Sequence, residues 1–292
     1  MTGLEIRPGA GTFVRELVGT DVRNLGDDAF KEIETAFNEH GALYARGQTL
    51  QPEDLIAFSK RFGEIESHPR QEFALEGFPQ IHVLSNIKDG DRSIGSAYAG
   101  DDWHTDLCFM KCPSRMSILY SIEIPHDDNG EALGDTLFAS AADAYDDLSA
   151  EDKDFVAKNR GIMQYNRRQE IKRQERMHDH PRPPISDEVK AKTPDISQPM
   201  VRTHPITGRK SIYVNQTYTF GIEGMSEDEA APVLKQLYKH VTRDDNVYRH
   251  KWQVGDLLMW DNAITQHKAI GNYKHPHRRR LIRTSVTGTE VF

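Results

Sequence analysis

Apolar positions recur at helical spacing near the start of the chain. Within 27–40, Phe30, Ile33 and Phe37 follow one another at intervals of three or four residues, and Gly41 comes directly after. That pattern predicts an amphipathic helix that ends at the glycine. Pro52 begins a second helix with an apolar face. Helices are therefore expected mainly in the first part of the sequence.

Short apolar or alternating segments, separated by turn residues, predict strands in much of the remaining chain. These segments lie at 42–45, 81–84, 117–122, 134–138, 210–215, 247–252, 257–260 and 281–286. Short helices are expected between 141 and 158, and Ser226 with Glu229 forms a capping box that begins a further helix. Many short strands with helices mostly at the start favour a mainly β fold with flanking helices, a jelly-roll-type barrel.

No apolar periodicity is visible between Asn166 and Pro199, where basic residues mix with acids, histidines and prolines. A nucleic-acid-binding patch is one interpretation, but the acidic residues between the basic ones and the negative net charge of the protein argue against it. A long polar stretch inside a compact domain favours a mobile insertion or lid. We therefore predict one domain over 1–292 with a lid at about 166–199.

Composition narrows the class of protein. Charged residues make up 28% and hydrophobic residues 37%, which is typical of a soluble globular protein. The net charge of −8 gives no general affinity for nucleic acid or anionic membranes. No apolar run reaches the roughly 18 residues that span a bilayer, the N-terminus does not resemble a signal peptide, and two cysteines give no disulfide framework. We expect a cytoplasmic protein that acts on a small molecule, and homo-oligomerisation stays open.

The candidate chemistry centres on Trp103-His104-Thr105-Asp106. Residues two apart on an extended backbone point to the same face, so His104 and Asp106 can reach one metal ion. A second imidazole, His267, would complete two histidines and one carboxylate. This triad is typical of non-haem Fe(II) oxygenases, because it leaves coordination positions open. A His-x-Asp pair alone is common by chance, so the assignment depends on the surrounding motifs.

Several motifs in the same order resemble the taurine/2,4-dichlorophenoxyacetate dioxygenase family (TauD/TfdA) of Fe(II)- and 2-oxoglutarate-dependent enzymes. The resemblance covers about residues 28 to 288. It rests on Trp-His-Thr-Asp at 103–106, Gly-Asp-Thr-Leu at 134–137, Arg-Thr-His-Pro-Ile-Thr-Gly-Arg at 202–209, Gly-Asp-Leu at 255–257, Trp-Asp-Asn at 260–262, His267, and the closing Arg279 and Arg283. Each motif alone is weak, and the ordered set is specific.

This resemblance implies a double-stranded β-helix, the cupin-like jelly roll, which agrees with the predicted strands. It also implies that His104, Asp106 and His267 hold Fe(II), with O2 as the oxidant and 2-oxoglutarate as co-substrate. The alternatives are a cupin-like metal enzyme that uses no 2-oxoglutarate and a metal-binding cupin-like protein without catalysis.

Binding of 2-oxoglutarate is assigned, by the same resemblance, to Thr136, Arg279 and Arg283. Arg283 would receive the far carboxylate with a hydrogen bond from Thr136, and Arg279 would lie near the C1 carboxylate. Arginine suits both places because its planar fork matches a carboxylate bidentately. The gap between His267 and Arg283 looks one residue longer than the family's usual spacing.

The implied reaction is the oxidation, most simply the hydroxylation, of an unactivated C–H bond in a small anionic substrate, with release of succinate and CO2. Asp106 stands where halogenating relatives lack a carboxylate, which favours hydroxylation over chlorination. Desaturation, cyclisation or another oxidative tailoring reaction in secondary metabolism would use the same ligands and stays an alternative.

Substrate residues are implied by a further match. In taurine-type members a His-Pro pair after Arg-Phe-Gly binds the substrate's acid group, and His68-Pro69 follows Arg61-Phe62-Gly63 in this chain. The family's nearby tyrosine is missing, and Arg70 is a candidate second contact. Tyr218 lies where such enzymes place an aromatic ring over the substrate, and Tyr165 is expected in the same pocket. These residues predict a small carboxylate, sulfonate or amino-acid-like substrate.

Overall fold

The computed structural model describes residues 3–67, 71–97, 100–175 and 184–292. Its helices are α1 (Asp27–His40), α2 (Pro52–Lys60), α3 (Ala141–Asp146), α4 (Ala150–Lys158), α5 (Tyr165–Glu175), α6 (Asp187–Lys192) and α7 (Glu227–Val241). Its strands are β1 (Glu5–Pro8), β2 (Val14–Val18), β3 (Ala42–Ala45), β4 (Ile65–Glu66), β5 (Ala74–Leu75), β6 (Phe78–Ser85), β7 (Lys88–Asp89), β8 (Arg92–Ser93), β9 (Met116–Glu123), β10 (Thr136–Ser140), β11 (Arg160–Met163), β12 (Ile196–Pro199), β13 (Val201–Thr203), β14 (Lys210–Ile212), β15 (Thr219–Ile222), β16 (Val247–His250), β17 (Leu257–Asp261), β18 (Thr265–Ala269) and β19 (Arg280–Val286).

Two sheets position the functional site. The larger sheet has the order β1-β2-β3-β17-β9-β19-β6-β5, and β4 pairs with the far end of β19. The smaller sheet has the order β16-β10-β18. All the pairings in both sheets are antiparallel except β2 with β3. Both sheets contribute side chains to one core, so they face each other.

Strand β17 shows how the core is divided. Leu257 and Met259 point to one face, where they pack with the apolar faces of α1 and α2. Leu258 and Trp260 point to the opposite face, where they meet Phe138 of the smaller sheet. Successive side chains of a strand point to opposite faces, so a strand that is covered on both sides is apolar throughout. This accounts for the unbroken apolar run in the sequence.

A cavity opens between the facing sides of the two sheets. Its walls include His82, Leu119 and Arg283 from the larger sheet and Thr136 and His267 from the smaller one. His82, Arg283 and Leu119 are direct neighbours across β6, β19 and β9, so their side chains share one face. Polar residues on this inner face interrupt the hydrophobic core and mark the site.

The predicted helix boundaries are confirmed where capping signals are present. Helix α1 ends at Gly41, whose φ of 90° is the left-handed conformation, and the N–H of Gly41 donates to the Phe37 carbonyl. At the start of α7, Ser226 and Glu229 form both hydrogen bonds of the capping box. The described chain contains no helix with the length and apolar character that a membrane crossing requires.

Much of the stretch 166–199, which is predicted to be a lid, has regular secondary structure. Helix α5 begins at Tyr165, α6 follows, and β12 pairs with β11. The interior side of α5 is formed by Tyr165, Arg168 and Lys172. A search for apolar periodicity misses such a helix, because two of its three buried residues are cations. Residues 176–183 lie outside the described part of the chain.

Candidate metal centre

His104 and His267 are brought together by the backbone. The His104 N–H donates to the His267 carbonyl over 3.0 Å, and the His267 N–H donates to the His104 carbonyl over 2.9 Å. This reciprocal pair forms an isolated antiparallel bridge beside β18, the edge strand of the smaller sheet. Directly opposite residues point to the same face, and the ring centroids are 4.1 Å apart. The bridge thus joins two imidazoles that are distant in sequence.

Asp106 completes the group of three. Its Oδ1 lies 3.6 Å from His104 Nε2, and its Oδ2 lies 3.9 Å from His267 Nε2. One donor atom from each residue lies within 4.8 Å of the others, so all three can reach a single ion. The next residue, Leu107, has a positive φ of 53°, which marks a sharp turn directly after the carboxylate. The expected triad is therefore assembled.

Residues of the Trp-Asp-Asn motif hold Asp106 in place. Ser117 Oγ donates to Asp106 Oδ2 over 2.6 Å, and Asn262 Nδ2 donates to that serine over 3.3 Å. The Asn262 side-chain oxygen accepts from Trp260 Nε1 at 3.0 Å and from the Asp106 N–H at 3.3 Å. The carboxylate is thus oriented by a buried network, which leaves Oδ1 directed at His104.

Electrostatics set the protonation states that metal binding needs. Burial alone would raise the pKa of Asp106, but the Arg283 guanidinium, with His267 and His104, holds that pKa well below its ordinary value. Burial and the neighbouring His104 hold the pKa of His267 well below its ordinary value. At neutral pH the carboxyl is therefore ionised and His267 is neutral, which are the forms that ligate a metal.

The two imidazoles are fixed in different ways. His104 Nδ1 lies 2.8 Å from the Asp102 carbonyl, so its Nε2 is the nitrogen that faces the metal position. His267 Nδ1 has no hydrogen-bond partner among the described residues. Its ring is packed against Trp260 at 4.6 Å and Phe138 at 6.0 Å between centroids. Orientation comes from a hydrogen bond in one ligand and from aromatic packing in the other.

The two arginines lie at opposite ends of the cavity. Arg283 Nη1 is 3.1 Å from both oxygens of Asp106, so it lies beside the metal position. Arg279 lies close to Gly134, where an added Cβ would be 2.7 Å from the Arg279 Nε. This puts Arg279 next to the segment that carries Thr136, whose hydroxyl accepts from Trp252 Nε1 at 3.0 Å. Arg283 thus lies beside Asp106, and Arg279 lies beside the segment of Gly134 and Thr136.

Two of the predicted substrate residues form an aromatic wall of the cavity. Tyr165 and Tyr218 both line it, and Phe109 packs between them at 4.3 Å and 4.8 Å from their ring centroids. The other two predicted contacts, His68 and Arg70, lie outside the described residues.

The sequence interpretation missed several residues that line the cavity. His82 and Leu84 come from β6, and Gln169 and Lys172 come from α5. The strand residues could have been found from alternation in 81–84, since one face of that strand carries both His82 and Leu84. The helix residues carried no apolar signal. His204, the histidine of the 202–209 motif, is buried and does not line this cavity, and its Nε2 lies 2.9 Å from Asp261 Oδ2.

Gly100 provides the first test of the metal centre, because a Cβ at this position would lie 2.9 Å from His104 Cε1. We expect Gly100→Ala to displace the imidazole and to weaken metal binding by about ten- to a hundredfold. Gly90→Ala is the matched control, since Gly90 also has a positive φ but has open space around it. Calorimetric titration with Mn(II) measures both affinities, and equal losses in the two variants would contradict the prediction.

Comparisons with known proteins agree with this geometry. The sequence model of the family described as "Taurine catabolism dioxygenase TauD, TfdA family" matches residues 5–285. The chain is 30% identical to an alpha-ketoglutarate-dependent 2,4-dichlorophenoxyacetate dioxygenase of Burkholderia sp. (strain RASC), over 88% of this chain and 85% of that protein. It is also 30% identical to an alkylsulfatase of Acinetobacter baylyi (strain ATCC 33305 / BD413 / ADP1), over 99% and 86%.

Solved structures show the same fold. A taurine dioxygenase from Burkholderia xenovorans superposes with a TM-score of 0.79 at 28% identity and covers 99% of this chain and 90% of its own. AAD-2, crystallised with Mn(II) and N-oxalylglycine, superposes with a TM-score of 0.78 at 28% identity, with 99% of both chains covered. The expected jelly-roll fold and the expected Fe(II), 2-oxoglutarate and O2 are confirmed, and the non-catalytic alternative is not retained. The chain belongs to the TauD/TfdA family and is an Fe(II)- and 2-oxoglutarate-dependent dioxygenase.

Proposed function

We propose that this enzyme hydroxylates an unactivated C–H bond of a small organic acid, with release of succinate and CO2. The observation that carries the proposal is the charge of the cavity. Among the described lining residues, three permanent cations, Lys172, Arg279 and Arg283, stand against the single carboxylate of Asp106. The two positive charges of Fe(II) offset the two negative charges of 2-oxoglutarate. Asp101 offsets the charge of Lys172. Arg279 and Arg283 against Asp106 therefore leave the loaded cavity with one excess positive charge, which favours an anionic substrate.

Names of related proteins support an anionic substrate. The relatives include dioxygenases named for 2,4-dichlorophenoxyacetate, for sulfonates and for sulfate esters, and each of these compounds carries a negative charge. A relative named pentalenolactone F synthase is 28% identical to the chain. Desaturation, ring formation or bond cleavage after hydroxylation would use the same three metal ligands, so these outcomes stay alternatives within the same class of reaction.

The residues of the chain have separate tasks in this proposal. His104, Asp106 and His267 would hold Fe(II), and bound iron with 2-oxoglutarate and O2 supplies the oxidising power that removes hydrogen from the substrate. Arg283 keeps Asp106 ionised. The aromatic wall of Tyr165 and Tyr218 would exclude water and position the apolar part of the substrate beside the metal.

We further propose that the two arginines exchange the roles expected from the sequence. Arg283 lies at the metal end, 3.1 Å from the carboxylate oxygens of Asp106, and would contact the C1 carboxylate of 2-oxoglutarate. Arg279 lies near the segment of Thr136, and its Nε, like that of Arg283, has no hydrogen-bond partner among the described residues. A buried guanidinium with an unused donor suits the far carboxylate, with the Thr136 hydroxyl as a second contact.

Two expected features stay proposals. Contact of the substrate's acid group with His68 and Arg70 is still proposed, because those residues follow the Arg-Phe-Gly motif. The stretch 166–199 is still proposed to act as a lid. This is supported by the position of α5, whose Tyr165, Gln169 and Lys172 line the cavity.

Succinate release tests the substrate class. A panel of small carboxylates and sulfonates would be compared with the primary amides and alcohols of the same carbon skeletons. We expect release to be stimulated by an acid and not by its neutral counterpart, because only the acid offsets the positive charge of the cavity. Stimulation by neutral compounds alone would refute the proposed substrate class.

Removal of one metal ligand tests the catalytic assignment. We expect Fe(II) and 2-oxoglutarate, mixed with the protein without oxygen, to give a weak visible charge-transfer band. His267→Ala should abolish both the band and succinate release, since two ligands no longer hold the ion. His126→Ala is the matched control, because His126 is exposed and lies outside the cavity. Full activity in His267→Ala would end the assignment.

Two arginine variants test the exchange of roles. Arg279→Ala should raise the dissociation constant of 2-oxoglutarate by two to three decades, because a buried carboxylate that loses its charged partner costs roughly 3–5 kcal/mol. Thr136→Val removes one neutral donor and should cost about 1 kcal/mol. Arg283→Ala should weaken metal binding as well as 2-oxoglutarate binding, since Asp106 loses the cation that keeps it ionised and the C1 carboxylate loses a contact.

Separate titrations of Fe(II) and 2-oxoglutarate distinguish these effects. Arg278→Ala is the control, because Arg278 pairs with Glu123 through Nε at 3.0 Å and lies outside the cavity. The exchange of roles would be contradicted if Arg283→Ala affected only 2-oxoglutarate and Arg279→Ala affected neither titration.

A further inference from the structure

Helix α5 has an unusual interior side. Tyr165, Arg168 and Lys172 recur at helical spacing and are all buried. The side chains of Arg168 and Lys172 are each only 9% exposed. Burial of a cation is costly unless a counter-charge accompanies it. Two consecutive carboxylates provide that charge, since Lys172 Nζ lies 2.7 Å from Asp101 Oδ1 and Arg168 Nη2 bonds Asp102 Oδ2.

The two ion pairs differ in their relation to the cavity. Lys172 lines the cavity together with Gln169 and Tyr165 of the same helix, whereas Arg168 does not. Arg168 bonds the side chain of Asp102, and the carbonyl of Asp102 hydrogen-bonds His104 Nδ1. The ion pair of Arg168 and Asp102 therefore supports the metal ligand. An ion pair of Lys172 and Asp101 that only anchored the helix would not need to face the cavity. The position of Lys172 therefore indicates a role toward the cavity contents.

The other cations in the cavity have defined tasks. Arg283 contacts the Asp106 carboxylate, and Arg279 lies near the Thr136 segment, where the proposed function uses it for 2-oxoglutarate. Lys172 is the remaining permanent cation among the described lining residues, and it comes from the same helix as the aromatic residue Tyr165. An organic acid would place its apolar part against the aromatic wall and its charge near this ammonium group.

We propose that Lys172 binds the anionic group of the substrate, in addition to the contacts proposed for His68 and Arg70, and that Asp101 tunes the strength of this contact. Gln169, one turn earlier on the same side of α5, adds an amide that hydrogen-bonds an oxyanion of either carboxylate or sulfonate. This inference rests on the proposed function, because it names the residue that recognises an anionic substrate.

The proposal predicts opposite effects of two substitutions within one ion pair. Lys172→Met removes the cation and should weaken binding of an anion by about ten- to a hundredfold, as expected for a charge-assisted hydrogen bond. Asp101→Asn removes the competing negative charge and should strengthen the same binding by roughly two- to tenfold. A pair that only clamps the helix would instead give weaker binding in both variants.

The probes are 1-hexanesulfonate and 1-hexanol, which share an alkyl chain and differ in charge. Each is titrated calorimetrically into the protein loaded with Fe(II) and 2-oxoglutarate under anaerobic conditions. The measured quantity is the ratio of the two affinities. Lys172→Met should reduce this ratio, Asp101→Asn should increase it, and neither should change the affinity for 2-oxoglutarate.

Two further variants complete the design. Arg173→Met removes a cation of the same helix that pairs with Glu170 and does not line the cavity, so the affinity ratio should stay as in the unmodified protein. Lys172→Met combined with Asp101→Asn removes both charges of the ion pair, and it replaces the single variant if that variant does not fold. We expect the double variant also to lose the preference for the sulfonate.

The outcomes distinguish the anionic substrate class from the role of Lys172. If the unmodified protein shows no preference for the sulfonate over the alcohol, both the anionic substrate class and the role of Lys172 fail. If the preference exists and persists in Lys172→Met, only the role of Lys172 fails. Equal weakening in Lys172→Met and Asp101→Asn would assign the pair to structural support and would overturn the inference.

Discussion

The site depends on the reciprocal backbone hydrogen bonds between His104 and His267. These bonds, 3.0 Å and 2.9 Å long, place two residues from distant parts of the chain directly opposite each other. Since opposite residues in an antiparallel pair share a face, both imidazoles turn into the space between the sheets. Asp106 then needs only the two-residue step of an extended backbone to reach the same point.

The charge of Asp106, the carboxylate ligand, is balanced by the side chains around it. Arg283 stabilises the ionised form of Asp106, so the ligand carries its negative charge even when it is fully buried. Ser117 fixes the orientation of the same carboxylate. An isolated buried carboxylate would instead be driven toward its neutral form. Arg283 thus stabilises a ligand of the metal through a contact within the protein itself.

Much of the fold and the metal ligands could be predicted from the sequence, because they follow local patterns. The run Leu257–Asp261 is apolar since both faces of its strand are covered, and His104 and Asp106 stand in a short motif. What could not be predicted depends on distances between elements. The order of Arg279 and Arg283 along the cavity is set by how β19 begins, and a spacing argument cannot place either guanidinium. The buried side of α5 was missed because Arg168 is buried by pairing rather than by hydrophobicity.

The buried ion pairs of α5 connect the wall of the cavity to a ligand of the metal. A helix held by aliphatic packing would adhere to the barrel regardless of the state of the metal centre. Here the helix is held by Asp101 and Asp102, which lie three and two residues before the metal ligand His104, and the Asp102 carbonyl lies 2.8 Å from His104 Nδ1. The buried side of the helix therefore contacts the same short segment that orients a ligand of the metal. Residues 101–104 thus connect α5, which forms part of the cavity wall, to the metal ligand His104.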